Sequence, residues 1–113
     1  MARQVELRRL LGNGNALRVR FEIEQGEVVQ FVVQLECLFD EQWVAVVRYD
    51  TAHGFAHCDR LHPYESAAKT RLHTTDYNQA LTFAIGDLTT NWQQYRERYE
   101  QWLKKRPARR RMS

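Results

Sequence analysis

The spacing of the apolar residues changes once along this chain, from every second position to every third or fourth. Between residues 16 and 50, apolar side chains alternate with polar ones, which is the pattern of half-buried strands. From Asp76 onward, the apolar residues recur with helical spacing as far as Trp102. The sequence therefore predicts an α+β protein in which an antiparallel sheet comes first and one long C-terminal helix packs on one face of it.

The strands are expected to be joined by short turns, as in an antiparallel meander. In chain order they are predicted over residues 16–24, 28–37, 42–50, 55–61 and 67–72. Because the last two are less regular, the sheet should have four to five strands. Strict alternation in the third strand places Trp43, Ala45, Val47 and Tyr49 on one side of the sheet.

Residues 2–11 leave two possibilities open. Their apolar positions fit either a short amphipathic helix or an initial edge strand, and the pattern does not decide between them. The segment Gly12-Asn13-Gly14-Asn15 then predicts a turn, because glycine and asparagine tolerate positive φ.

The helix is predicted over residues 76–105. Thr75 or Asp76 can cap it, Gln79 completes a capping-box pattern, and Pro107 ends it. One face carries an apolar stripe: Leu81, Ile85, Leu88, Trp92, Tyr95, Tyr99 and Trp102. Such a helix would be about 45 Å long, against strands of roughly 30 Å. We therefore expect its aromatic end to overhang the sheet and to be covered by a second protomer, by another protein partner, or by the N-terminal segment folding back.

Positive charge is concentrated at the end of the chain. Six basic residues lie in its last ten positions: Lys104, Lys105, Arg106, Arg109, Arg110 and Arg111. They are part of a total of 17 basic residues, which leaves 11 against 14 acidic ones in the rest of the chain. This pattern is typical of an arm that binds a polyanion such as RNA, and the alternative is a solvated tail that aids solubility. The 113 residues predict a single domain over residues 1–106 and a basic, disordered tail over 107–113.

Two further features limit the class of protein. Cys37 and Cys58 lie inside apolar stretches without a CxxC spacing, so they are expected to be buried free thiols. The sequence has neither a signal-peptide pattern nor an apolar run of about 18 residues. We therefore expect a cytoplasmic protein with no membrane association.

The segment from Arg48 to His62 contains three of the four histidines. If His53-Gly54 forms the centre of a tight turn, Ala52 pairs with Phe55, Asp50 with His57, and Arg48 with Asp59. The last two pairs would share one face of the hairpin, because strand positions two apart point the same way. Tyr49 and Cys58 would lie on the opposite face, toward the core.

Three interpretations of this polar cluster remain open. In the first, the residues form structural cross-strand pairs. In the second, they form an acid–base site for RNA cleavage, with His57 as base or acid, Asp50 as its orienting partner and Arg48 as the anion contact, while Asp59 and His53 complete the set. Such a site needs no metal or other cofactor, since the ribose 2′-OH is the nucleophile. In the third, four side chains bind a divalent metal: His53, His57, Asp59 and His62.

The run Arg48-Tyr49-Asp50-Thr51-Ala52-His53-Gly54-Phe55-Ala56-His57-Cys58-Asp59 resembles a family of small, functionally uncharacterised bacterial and archaeal proteins with an Arg-Tyr-Asp-x-Ala-His-Gly-x-x-His-x-Asp motif. The segments Asn78-Gln79-Ala80-Leu81 and Asn91-Trp92-Gln93-Gln94-Tyr95 also match that family, over residues 16–103 in all. More loosely, the layout is similar to TumE-type toxins of toxin–antitoxin pairs, although the histidine-bearing turn differs in length and spacing. The resemblance implies a toxin-like or nucleic-acid-directed role.

The leading functional hypothesis is thus a small toxin-like protein acting on RNA by metal-independent acid–base chemistry. The alternative is a non-catalytic binding or oligomerisation module that uses the long aromatic helix as its working surface.

Overall fold

The computed structural model describes residues 2–107 and consists of one six-stranded antiparallel sheet and one helix. The strands lie side by side in chain order, so the sheet is a meander. The elements are β1 Arg3–Gly12, β2 Asn15–Glu24, β3 Glu27–Phe39, β4 Gln42–Asp50, β5 His57–Arg60, β6 Ala68–Arg71 and α1 Tyr77–Lys104. This confirms the predicted α+β class, the antiparallel meander and the single C-terminal helix.

The predicted number of four to five strands is wrong, because residues 3–12 form a sixth strand at the edge of the sheet. Val5 lies opposite Phe21, and Leu7 lies opposite Val19. The helical alternative for this segment is excluded by that pairing. Leu7 is 46% exposed because the helix packs on β2, β3 and β4. Leu10 is 66% exposed because it lies opposite Ala16, on the face of the sheet that the helix leaves uncovered. The apolar residues of this strand thus do not share one buried face, which is why its pattern was ambiguous.

A β-bulge in β4 changes which side chains of that strand face the core. Leu35 pairs with Val47 and Glu36 with Ala45, so Val46 is the extra residue. Val47 and Tyr49 are buried as predicted. The prediction that Trp43 and Ala45 share their side is wrong, since the bulge reverses the alternation. Trp43 lies on the face opposite the helix, where the guanidinium of Arg8 stacks on its ring at 4.5 Å.

The helix begins after Asp76, as predicted. The Asp76 carboxylate accepts hydrogen bonds from the backbone N–H groups of Asn78 at 2.9 Å and Gln79 at 3.3 Å. In the described structure, Gln79 does not complete the capping box. The backbone N–H of Asp76, which would donate to the side chain of Gln79, donates to the hydroxyl of Thr74 instead. At the other end, the backbone N–H of Lys105 donates to the carbonyl oxygens of Gln101 and Trp102, which closes the last turn of the helix.

The predicted strand length of roughly 30 Å is too short. The strand β3 has 13 residues, or about 43 Å, and the helix has 28 residues, or about 42 Å. The aromatic end is covered by the protein's own loops and strands. Tyr99 stacks on Phe39 with a centroid distance of 5.4 Å, Trp102 lies 4.4 Å from the ring of His62, and Trp92 packs against Gly12. Contact of a partner with this surface stays a prediction. The reason for expecting it was an uncovered aromatic end of the helix, and that reason no longer applies.

Arg96 ties the middle of the helix to two turns of the sheet. Its guanidinium donates hydrogen bonds to the carbonyl of Gly14 at 3.0 Å, to the side chain of Asn15 at 2.8 Å and to the carbonyl of Leu38 at 3.0 Å. It also stacks on Phe39 at 4.5 Å. One planar group thus satisfies acceptors of the β1–β2 and β3–β4 turns together.

We predict that Arg96→Lys lowers the free energy of unfolding by about 2 kcal/mol, because an ammonium cannot reproduce the planar fork and leaves part-buried acceptors unsatisfied. Urea denaturation followed by circular dichroism measures this change. Arg98→Lys is the matched control, since Arg98 is exposed on the same helix. Equal midpoints for the two variants would contradict this role for Arg96.

Candidate polar site on the open face of the sheet

The β4–β5 pairing has the predicted register but not the predicted turn. Arg48 lies opposite Asp59, and Asp50 lies opposite His57. The two strands are joined by a six-residue loop, Thr51 to Ala56, rather than by a two-residue turn. Within it the N–H of Gly54 donates to the carbonyl of Thr51 at 3.1 Å, and Gly54 adopts a φ of +82°. The predicted pairing of Ala52 with Phe55 is therefore wrong, although the loop keeps the same symmetry about residues 53 and 54.

This register places the two predicted pairs on the face of the sheet that the helix leaves uncovered. Tyr49 and Cys58 point the other way, and both are buried under the helix side. Cys58 and Cys37 are free, buried thiols, as predicted. Burial raises the pKa of each thiol to about 11, so neither is a thiolate near neutral pH.

His57 is the centre of the site and is almost completely buried, with 1% of its surface exposed. Its Nε2 atom lies 2.9 Å from Oδ1 of Asp50 and 3.6 Å from Oδ2 of Asp59. Its Nδ1 atom faces the carbonyl oxygen of Phe55 at 3.3 Å. Each ring nitrogen therefore has an oxygen acceptor to which an N–H could donate. The side chain of Asp50 is the more accessible of the pair, with 13% of its surface exposed.

The second cross-strand pair does not form an ion pair among the described residues. Arg48 turns toward β3, where its Nε atom donates to Oε1 of Gln34 at 2.8 Å. Asp59 instead faces Lys69 of β6, with 3.3 Å between Oδ1 and Nζ. That contact is an ion pair rather than an aligned hydrogen bond, and Oδ1 of Asp59 is buried without a hydrogen-bond donor. The guanidinium of Arg48 therefore keeps N–H groups available on the open face.

The four predicted metal ligands do not come together. His62 lies 3.3 Å from Glu65 and packs on Trp102, away from the hairpin loop. His53 is exposed, and its ring stacks on that of His57 with a centroid distance of 5.5 Å. Within residues 2–107, Asp50, His57 and Asp59 are the group with ligand atoms close enough for one cation, within 4.8 Å of one another. The ammonium of Lys69 already supplies positive charge to that group.

Two neighbouring cavities open onto Asp50. The larger, about 400 Å³, is lined by Glu6, Arg18, Arg20, Val32, Gln34, Arg48 and Asp50. The second, about 250 Å³, shares Arg20, Val32 and Asp50 and extends to Thr51 and Ala52 of the loop. Together they form a trough across β1 to β4, and Arg20, Val32 and Asp50 line the region where the two cavities meet. In the part of the chain that the structure describes, no acid lies within 4 Å of Arg20 or Arg48, whereas Arg18 pairs with Glu6 and Glu36.

Glu36 anchors the far end of this polar face. It is buried, and its carboxylate accepts from Arg18 at 2.9 Å, from Gln34 at 2.8 Å and from Arg8 at 3.3 Å. Burial alone would raise its pKa, but the hydrogen bonds and the charge of Arg18 outweigh burial, so its pKa lies below the usual value of 4.5. Arg18 is thus held in place by acids, while Arg20 and Arg48 are not.

A second polar cluster, which the sequence did not reveal, lies under the helix. Asp87 of α1 accepts hydrogen bonds from the hydroxyls of Tyr49 at 2.6 Å and Tyr95 at 2.7 Å, and from the amide of Asn91 at 2.8 Å. The signal was present, since Asp87 is an acid within the apolar stripe of the helix, four residues before Asn91 and eight before Tyr95. Lys69, Arg20 and Gln34 were also missed, because only strand pairing brings them to the site.

The predicted nucleic-acid-binding tail is only partly described. Lys104 ends the helix, and Lys105 and Arg106 follow it, all three exposed. Arg109, Arg110 and Arg111 lie outside the described residues.

The fold and site define a small α+β protein with one covered and one open sheet face, the open face carrying a buried imidazole between two carboxylates. A family model described as a domain of unknown function (DUF7718) matches residues 1–105, so the chain belongs to that family. This fits the resemblance to an uncharacterised family, while the likeness to TumE-type toxins stays a prediction. No match was found among curated proteins or solved structures. Across residues 2–107, no helix is both long and apolar enough to span a membrane.

We predict that Glu36→Gln destabilises the protein at pH 7 by about 2 kcal/mol and by progressively less as the pH falls below 4.5, because the neutral amide loses charge-assisted hydrogen bonds to two arginines. The pKa of Glu36 is lowered in the folded state. Its contribution is therefore present above the unfolded pKa and is lost as the pH falls through the folded one. Denaturant titrations of wild type and variant between pH 7 and pH 3 measure the difference.

Glu97→Gln is the control, since Glu97 is exposed and should change stability little at either pH. A difference between wild type and Glu36→Gln that stays constant down to pH 3 would contradict the assigned cause.

Proposed function

We propose that the protein acts on RNA, binding the phosphate backbone in the trough on the open face of the sheet and cleaving it by metal-independent acid–base chemistry. The observation that carries the proposal is the position of Asp50. Its carboxylate lies at the junction of the two cavities, with buried His57 directly behind it and, beside it, two arginines that pair with no acid among residues 2–107.

The roles of Asp50 and His57 are exchanged relative to the expectation from sequence. Both nitrogens of His57 face protein acceptors, and the ring has almost no exposed surface. It is therefore suited to orient Asp50 and to stabilise its charge. Oδ1 of Asp50 accepts from His57 at 2.9 Å and from the backbone N–H of Ala52 at 3.0 Å. Its other oxygen is the one that would receive a proton from a substrate.

The proposed reaction is a transesterification within RNA. Asp50 accepts the proton of the ribose 2′-OH while that oxygen attacks the adjacent phosphorus atom. The bond from phosphorus to the 5′-oxygen breaks, and the leaving oxygen takes a proton from the exposed ring of His53. Arg20 and Arg48 would stabilise the charge on the phosphorane oxygens. The products are a 2′,3′-cyclic phosphate and a 5′-hydroxyl. The reaction as proposed uses no oxidant, metal or cofactor.

Asp59 and Lys69 complete the site as supporting groups. Asp59 lies behind His57 and, with Asp50, surrounds the imidazole with two carboxylates. Lys69 offsets the second carboxylate. This nearby positive charge lowers the cost of burying Asp59.

We predict that Asp50→Asn lowers the rate of RNA cleavage by about 10²–10⁴-fold, because the amide cannot accept the 2′-OH proton. RNA affinity should stay within about threefold, since the arginines are untouched. Cleavage of a labelled oligonucleotide in the presence of EDTA, together with binding by fluorescence anisotropy, measures both. If the role is toxin-like, expression of the wild type slows bacterial growth and expression of this variant does not.

Asp40→Asn is the matched control for that experiment. Asp40 is an exposed acid in the β3–β4 turn with a φ of 49°, a conformation that asparagine tolerates. This variant should cleave like the wild type. Cleavage that appears only after a divalent metal is added, or that survives Asp50→Asn, would contradict the mechanism.

The basic tail is proposed to add salt-dependent affinity for phosphate. Removing residues 108–113 deletes Arg109, Arg110 and Arg111. For single-stranded RNA this should reduce the slope of log affinity against log salt concentration by up to about 2, at roughly 0.7 per phosphate contact. Anisotropy titrations between 50 and 300 mM salt measure the slope. An unchanged slope would assign RNA binding to the folded part alone.

A further inference from the structure

A cavity separate from the trough lies between the helix and the last two strands. The helix packs on β2, β3 and β4, and the β5–β6 hairpin extends beyond it. The resulting gap has a volume of about 330 Å³. Tyr49, Cys58 and Thr70 line it from the sheet, and Phe83, Asp87 and Tyr95 line it from the helix. Its size is within the range of small-molecule sites.

The polar group within this cavity is the carboxylate of Asp87, which is held in one orientation by three donors. Oδ2 accepts from both tyrosine hydroxyls, and Oδ1 accepts from Asn91. Burial and the hydrogen bond to Asp87 both raise the pKa of Tyr49 and that of Tyr95, so the two hydroxyls stay protonated and continue to donate. Among residues 2–107, no basic group lies within 4 Å of this carboxylate. Oδ1 therefore has a lone pair available to a ligand.

The remaining walls supply an aromatic surface and positive charge. Phe83 is 59% exposed, which is unusual for a large apolar side chain, and it lies one helical turn before Asp87. Arg60 and Arg71 also line the cavity and are exposed. The lining thus combines a fixed carboxylate, an uncovered aromatic face and the guanidinium of Arg60, whereas the guanidinium of Arg71 stacks on the ring of Phe55 at 4.5 Å.

We propose that this cavity binds a guanine nucleotide. The base would stack on Phe83 and present its N1–H to Oδ1 of Asp87, while Arg60 contacts the phosphate. A simple organic cation fits less well, because Arg60 in the lining already offsets the charge of the carboxylate. A simple anion would leave Asp87 without a partner.

The carboxylate determines which base is accepted. Guanine carries a donor at N1, which the free lone pair of Oδ1 can accept. Adenine presents an acceptor at N1 beside its amino donor, so its ring nitrogen would face a negative oxygen without a proton between them. The cost of such a mismatch is the main source of specificity in polar sites.

The guanine could belong to a free nucleotide or to a guanosine within RNA. The shared chemistry is the base edge and one phosphate. The inference does not depend on the proposed cleavage, since the cavity lies on the opposite side of the sheet from Asp50 and its residues take no part in that reaction.

The test is isothermal titration calorimetry of the full chain with GMP and with AMP, supported by NMR to show which residues respond. We expect saturable GMP binding with shifts confined to the cavity residues, and AMP binding at least about tenfold weaker. Equal affinity for the two nucleotides, or no saturable GMP binding up to millimolar concentration, overturns the proposal. A trinucleotide with a central guanosine that binds at least as tightly as GMP assigns the site to RNA, and weaker binding assigns it to the free nucleotide.

Two variants identify the residues responsible. Phe83→Ala should weaken GMP binding about tenfold through lost stacking, and it should leave the fold intact because Phe83 is exposed. Asp87→Asn should bring the ratio of GMP to AMP affinity close to one. Should Asp87→Asn unfold through loss of its tyrosine contacts, Phe83→Ala and the base preference of the wild type still decide the question. Trp43→Ala is the control, since Trp43 is an exposed aromatic residue on the open face and should leave GMP binding unchanged.

Discussion

The pairing of β4 with β5 determines which side chains each face of this protein can use. Asp50 opposite His57 supplies the open face, and Tyr49 opposite Cys58 supplies the covered face. A slip of one residue would exchange the two sets, because neighbouring strand residues point to opposite sides. Hydrogen bonds oppose such a slip from both sides of the sheet. The hydroxyl of Tyr49 binds Asp87 of the helix, and the carboxylate of Asp50 binds a backbone N–H of its own loop.

The position of the helix then decides that one face stays open. Asn78 ties the start of the helix to β3, where its side chain accepts from the N–H of Val28 at 2.9 Å. Arg96 ties its middle to the turns at Gly14 and Leu38. With both contacts made, the apolar stripe covers the sheet residues that alternate inward. The other face stays uncovered, with the exposed Arg20 beside the buried acids Glu36 and Asp59.

The cluster around His57 contributes less to stability than its contacts suggest. Taking two carboxylates and an imidazole out of water is costly, and their mutual attraction offsets this only partly. One oxygen of Asp59 is buried without a hydrogen-bond donor. Simple cross-strand pairing would not need a buried imidazole between two acids. The cluster therefore favours a chemical role over a purely structural one, as proposed above.

The sequence by itself determined the class of fold, the capped helix from Asp76 and the register that brings Asp50 to His57. These depend on periodicity, on a local cap and on the loop centre at residues 53 and 54, all of which are short-range. Only the tertiary structure decided that β1 is a sixth strand, that a bulge at Val46 reverses Trp43, and that Arg48 turns away from Asp59. Each depends on neighbours distant in the chain, because a side chain takes the partner that packing presents. The contacts of Lys69 with Asp59 and of Asp87 with Tyr49 were not predicted from the sequence for the same reason, since each joins residues that only the fold brings together.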